Sequence, residues 1–267
     1  MTDLTGKFFW YELMTSDPEG ALAFYGDVVG WTSAPFGGDL QGDVYHVVSG
    51  SHGPLGGVMA IPAELKDHGM RPWWGGYIGS ADVDADVKRL TAAGGAVKRA
   101  SEDIPGVGRF AVMGDPGGAI FMLLKGSSPE GMEPAPPMAN GHIGWHELYS
   151  GNFDADLAFY TSQFGWGKGE AMDMGEMGSY QLFSQSGATD FNSMAGGIMA
   201  LPKEMPMPLW LFYFVVPDID AATEKVKAGG GTVLNGPMEV PGGAWIIQAT
   251  DPQGAMFALV GMHNAQG

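Results

Sequence analysis

Trp10-Tyr-Glu-Leu-Met-Thr-Ser-Asp-Pro-Glu-Gly-Ala-Leu-Ala-Phe-Tyr25 is answered, at an offset of 135 and without a gap, by Trp145-His-Glu-Leu-Tyr-Ser-Gly-Asn-Phe-Asp-Ala-Asp-Leu-Ala-Phe-Tyr160. Trp, Glu, Leu and then Leu-Ala-Phe-Tyr recur in place, and Gly30-Trp31 recurs as Gly165-Trp166. A match of this kind is the mark of an internal duplication.

The correspondence continues outward. Gly56-Gly-Val-Met-Ala-Ile-Pro62 matches Gly196-Gly-Ile-Met-Ala-Leu-Pro202. Asp82-Val-Asp-Ala with Gly94-Gly95 matches Asp218-Ile-Asp-Ala with Gly230-Gly231, and Asp115-Pro-Gly-Gly matches Asp251-Pro-Gln-Gly. Between the copies, Gly126 to Pro137 is rich in Pro and Gly and has no periodicity, as an extended linker does. The chain is therefore divided into domains at 5–125 and 142–262, joined by a linker over 126–141.

Within the first copy, Phe8–Thr15 has the aromatic and apolar content of a strand. Asp17-Pro18 is a helix start, an N-cap carboxylate with Pro at the first position, and Ala21, Leu22, Phe24, Tyr25 and Val28 form its apolar stripe. Strand-like stretches follow at 31–35, 44–49 and 57–61. The pattern then restarts with a strand at 73–79, a helix at 84–93 and three strands near 96–100, 109–113 and 120–124, the last two joined by a turn at Asp115-Pro116. Each copy reads βαβββ twice. The fold class is α+β, two tandem domains, each a pair of βαβββ units forming curved mixed sheets with helices outside.

Composition narrows the function classes. The 267 residues carry a net charge of -17, shared unevenly: 1–125 holds 9 Lys+Arg against 15 Asp+Glu, and the rest holds 4 against 15. Such a surface repels nucleic acid and anionic lipid, so the expected partner is a small-molecule ligand. Cysteine is absent, which excludes thiolate metal sites and cysteine nucleophiles. No run approaches the roughly 20 apolar residues of a membrane span, and the N-terminus lacks the pattern of a secretory signal. A cytoplasmic protein is expected, either a monomer whose tandem copies form a pseudo-dimer or a homodimer.

Paired βαβββ units, a Phe-Tyr in the first helix, Gly-Trp after it and Asp-Pro-x-Gly before the last strand resemble the vicinal oxygen chelate superfamily, which includes glyoxalase I, extradiol dioxygenases and bleomycin-resistance proteins. The W-x-E-L start with a Gly-Gly-hydrophobic-Met strand resembles its two-domain bacterial glyoxalase-like or hydroxylase-like members. The resemblance implies a metal held by His, Glu or Gln from the first, fourth, fifth and eighth strands of a domain. The first-strand position falls on Trp10 and Trp145, and the eighth-strand position on Met122 and Ala258. The fourth and fifth strands offer no ligand type in either copy. No metal and no other cofactor is expected.

Glu12 and Glu147 lie two residues beyond those tryptophans, on the same face of a strand. They are the candidate catalytic groups, since a carboxylate among apolar side chains has a use in proton transfer. The same residues also suit a purely architectural role, accepting hydrogen bonds at a domain seam. Candidate ligand-binding residues are Trp10, Trp145, Tyr45, Tyr180, Trp74, Trp210, Phe212, Met122 and Trp245. Three functions fit: metal-free proton transfer of the isomerase or lyase type, sequestration of a drug or metabolite by stacking, or a metal-dependent glyoxalase, oxygenase or hydroxylase with ligands placed elsewhere.

Overall fold

A computed structural model describes residues 3–37, 44–126 and 134–263. In chain order the first copy contains β1 (Phe8–Thr15), α1 (Pro18–Val28), β2 (Thr32–Pro35), β3 (His46–Gly50), β4 (Gly53–Ala60), a short α2 (Ala63–Asp67), β5 (Trp73–Gly79), α3 (Val83–Ala92), β6 (Ala96–Ile104), β7 (Gly108–Gly114) and β8 (Ile120–Gly126). The second contains β9 (Ile143–Ser150), α4 (Phe153–Phe164), β10 (Gly167–Asp173), β11 (Ser179–Ser184), β12 (Gly196–Ala200), β13 (Leu209–Val216), α5 (Ile219–Ala228), β14 (Thr232–Glu239), β15 (Trp245–Thr250) and β16 (Met256–Gly261). The α+β class and the βαβββ repeat stand as read, with α2 an addition that the apolar periodicity did not mark. Of the linker, residues 127–133 lie outside the described residues.

The helix starts follow from their caps. Asp17, Asp82 and Asp218 each accept a hydrogen bond from an amide two or three residues on, satisfying donors that the helix itself leaves open. Gly165, at φ 70°, closes α4 in the left-handed conformation that glycine adopts without strain.

The strands form two eight-stranded sheets, ordered β2-β3-β4-β1-β5-β8-β7-β6 and β10-β11-β12-β9-β13-β16-β15-β14. Parallel pairing of β1 with β4 sets Glu12 opposite Gly57, and that of β9 with β12 sets Glu147 opposite Gly197.

The compact units do not follow the order of the chain. One gathers Met1–Phe9, Gly75–Pro134 and His146–Trp210; the other gathers Trp10–Trp74, Ala135–Trp145 and Leu211–Gly267. The motifs that mark the repeat hold each unit together. In the second unit, Tyr25 donates to the Asp251 carboxylate at 3.1 Å, Trp74 Nε1 donates to the Tyr25 hydroxyl at 2.9 Å, and Trp31 Nε1 donates to the Gly141 carbonyl at 2.7 Å. In the first, Tyr160 donates to Asp115 at 3.1 Å, Trp210 to Tyr160 at 2.9 Å, and Trp166 to Gly6 at 2.7 Å. Buried phenols and indoles need such partners.

The units differ in their first helices. Asp156, on α4, stands where the first copy has Ala21. Its carboxylate accepts from the Gly117 amide at 2.7 Å, while Asp115 accepts from the Gly118 and Ala119 amides. The β7–β8 turn is thus held between two buried carboxylates. Burial, and then the Asp156 charge, push Asp115 up to about 7.

Candidate functional site

The first-copy group is built on one glycine. Gly57 faces the phenol of Tyr45, and a Cβ there would lie 2.0 Å from the tyrosine hydroxyl. Only a residue without a side chain lets the ring cross β4. Having crossed it, the Tyr45 hydroxyl meets Glu12, the residue paired with Gly57, and hydrogen-bonds its carboxylate. Trp10 Nε1 donates to the same hydroxyl at 2.9 Å. Trp10, Tyr45 and Glu12 thus form a chain of bonds from indole to phenol to carboxylate, with Glu12 only 6% exposed. Burial, and then the Glu12 charge, hold the Tyr45 phenol well above its ordinary value, so it stays a donor.

The second copy repeats the device. A Cβ on Gly197 would lie 2.1 Å from the Tyr180 ring, and Tyr180 donates to Glu147 at 2.9 Å. Glu147 is likewise buried. His146, its neighbour on β9, turns to the other face: its ring stacks on Phe8, Nδ1–H donates to the Ala195 carbonyl at 2.9 Å, and burial pushes it down to about 4. It is a neutral core histidine.

The structure brings Trp10, Tyr45 and Glu12 together, and Tyr180 with Glu147. Tyr45 sits one residue ahead of β3, and Trp145 is half-buried on β9. Trp74 and Trp210 are placed elsewhere, donating to the helix tyrosines Tyr25 and Tyr160 within buried aromatic clusters. Phe212 is buried on that same face of β13, edge-on to Tyr11 at 5.0 Å. Met122 is buried opposite Tyr77. Trp245 stacks on His263, whose Nδ1 is 2.6 Å from Asp220.

The metal positions implied by the resemblance can be tested on their donor chemistry. Trp10 is committed to Tyr45, the Tyr45 ring covers Gly57, and the eighth-strand positions hold a thioether in Met122 and a methyl group in Ala258. Among the described residues no three His, Asp or Glu side chains gather as a metal would require. These residues do not fit the metal centre.

Sequence reading did not find the glycines' role, although Gly56-Gly57 and Gly196-Gly197 were in view as a repeated dipeptide. Nor did it find a hydrogen bond of 2.8 Å from Gln248 Nε2 to the Tyr213 hydroxyl. The corresponding position of the first copy holds Val112, so a search for identities passes over Gln248.

The sequence profile of the glyoxalase/bleomycin resistance protein/dioxygenase superfamily matches residues 7–123 and 141–259. The chain belongs to this superfamily. It is 31% identical over 266 residues to CFP32 of Mycobacterium tuberculosis, provisionally called a glyoxylase, covering 94% of this chain and 93% of that one. It is 30% identical over 264 residues to the anthracycline biosynthesis protein DnrV of Streptomyces peucetius, covering 94% and 91%. Among solved structures it resembles the Mn(II)-bound glyoxalase of Novosphingobium aromaticivorans (TM-score 0.64, 15% identity, 97% of this chain and 83% of that one). The 2,3-dioxygenase LapB of Pseudomonas sp. KL28 is similarly close (TM-score 0.64, 17% identity, 99% and 96%). At these identities the structural likeness bears on the fold alone. Among the described residues no helix is long and apolar enough to cross a membrane.

Proposed function

We propose that this member of the superfamily binds a small aromatic molecule against its Tyr–Glu groups and moves a proton on it without a metal. The observation that carries this reading is the repetition of one costly arrangement. A buried carboxylate is bonded to a phenol that reaches it across a glycine, in both copies. A fold that only needed filling here would use apolar side chains, which carry no desolvation penalty. Buried carboxylates with fixed donors are the groups that proton transfer uses.

In this reading Glu12 takes a proton from a carbon conjugated with a carbonyl and returns it to another carbon of the same molecule. The Tyr45 hydroxyl, held by Trp10, orients the carboxylate for the transfer. Tyr180 and Glu147 do the same in the second copy. The relatives named for anthracycline biosynthesis direct the choice of ligand toward planar fused rings.

Anthrone is a suitable probe, being a planar tricycle with an acidic C–H. Incubated anaerobically in D2O with the protein, it should gain deuterium at that carbon faster than in buffer, as read by mass spectrometry. E12Q/E147Q should retain anthrone affinity and lose the added exchange by about 100-fold, the low end of general-base contributions. Exchange equal to buffer with the wild type rejects the catalytic reading. Tight binding without exchange, lost in the double variant, would instead identify a sequestering protein.

A further inference from the structure

On β13, Trp210 and Phe214 point to the helices, meeting Tyr160 and Tyr25 respectively. Side chains alternate along a strand, so Tyr213 stands on the opposite, helix-free face. Its cross-strand partner on β16 is Ala258, and the partner of Ala258 on β15 is Gln248. Tyr213 and Gln248 are therefore two strands apart, separated by a single methyl group. They meet above it, Gln248 Nε2 donating to the Tyr213 hydroxyl at 2.8 Å.

The first copy has the same three registered positions on β5, β8 and β7, occupied by Tyr77, Met122 and Val112. There the middle position is filled by a thioether and the third side chain cannot hydrogen-bond. The fold is thus satisfied by apolar side chains at the second and third of these positions. The second copy keeps the tyrosine, as Tyr213, and puts a methyl group and an amide in place of the thioether and the valine; an amide costs free energy to withdraw from water unless it is bonded. Tyr213 is buried and Gln248 half-buried, so the amide lies at the edge of the protected region.

We infer that Tyr213 and Gln248 form a polar recognition element over Ala258 that lets their compact unit, which also holds Tyr45 and Glu12, select aromatic ligands with an oxygen-bearing edge, a phenol or quinone, while the Tyr77–Met122–Val112 set lets the unit of Tyr180 and Glu147 select hydrocarbon edges. The inference rests on the proposal that this protein binds aromatic molecules, and it adds that the two compact units take different ones. The small side chain at 258 makes room for the ligand edge, and the amide supplies both a donor and an acceptor to it.

The test uses two probes of similar size, 1,4-dihydroxyanthraquinone and 9-methylanthracene, titrated into the full-length protein by calorimetry. The wild type should bind the hydroxyquinone with a stoichiometry near one per chain. Q248V and Q248V/A258M, which rebuild the first-copy set, should weaken it about tenfold or more, the scale of one or two lost hydrogen bonds, and leave the hydrocarbon's affinity unchanged or improved. V112Q/M122A should do the converse, adding a second hydroxyquinone site per chain. This gain keeps the test informative if the second-copy variants fail to fold. Hydroxyquinone affinity unmoved in folded Q248V, or no second site in folded V112Q/M122A, would overturn the inference while leaving aromatic binding intact. Failure of the wild type to bind either probe would overturn both.

Discussion

Glycine 57 shows how one missing side chain determines what its neighbours can do. Its Cβ would stand 2.0 Å from the Tyr45 hydroxyl, and at Gly197 the corresponding distance to the Tyr180 ring is 2.1 Å. G57A must therefore drive the tyrosine ring away and strip Glu12 of a donor. Y45F removes the same hydroxyl but leaves the ring in place. Both variants should be less stable to urea, Y45F by roughly 1–3 kcal/mol for a buried carboxylate short of one partner, and G57A by more, because overpacking adds to that loss. Equal stability of G57A and wild type would show that the ring does not rest on β4. The same residues mark how far the sequence could be read. Glu12 and Tyr45 were visible as chemistry-bearing types, and strand alternation set Glu12 beside Trp10. Nothing local in the sequence says that a tyrosine 33 residues away crosses a glycine to reach that carboxylate; the pairing of β1 with β4 decides it.

At the scale of elements, the β7–β8 turn is held by two buried carboxylates. Asp115 takes the Gly118 and Ala119 amides and Asp156 takes the Gly117 amide, and burial holds both carboxyls above their ordinary values. A carboxyl whose folded value is raised contributes stability that is present below its ordinary value near 4, and that contribution is lost as the pH climbs through about 7. His146, pushed down to about 4, works the other way, losing its contribution as the pH falls below 6.5. D156N removes the like charge and keeps an acceptor for Gly117. Relative to wild type it should gain stability steadily from pH 5 to pH 8, with the His146 effect cancelling in the comparison. Thermal midpoints measured across that range check this, and a difference independent of pH would mean the two carboxyls do not interact. The strand assignments behind this turn were legible, because Asp-Pro-Gly-Gly has only a few ways to lie between two apolar runs. The roles of Trp74 and Trp210 were not. Their strands are apolar on both faces, so periodicity alone does not say which face meets the helix tyrosines.

At the scale of the whole molecule, the repeat and the compact units divide the chain differently. Each unit draws strands from both copies, and the bonds that close it join one copy to the other: Tyr25 to Asp251 and Trp31 to Gly141 in one unit, Tyr160 to Asp115 and Trp166 to Gly6 in the other. The duplication was legible because it is written in identities at a fixed offset. The exchange of partners was not, because the same Tyr and Asp motifs satisfy pairing within a copy or between copies equally well. That equivalence makes a prediction. The fragment 1–125 contains Tyr25, Trp31, Gly6 and Asp115, which is every residue type the bonds require, but each needs its partner from a second copy. Expressed alone, the fragment should fold only as a homodimer, with Tyr25 of one chain on Asp115 of the other. Expressed with 134–267, it should form a 1:1 complex in preference. Light scattering coupled to size exclusion, with near-ultraviolet circular dichroism to report packed aromatic side chains, distinguishes the outcomes. The homodimer has Ala21 where Asp156 would stand, so its Asp115 should titrate lower than in the intact chain and its stability should vary less between pH 5 and 8. A folded, monomeric 1–125 fragment would refute the exchange of partners and return the compact unit to the boundaries of the repeat.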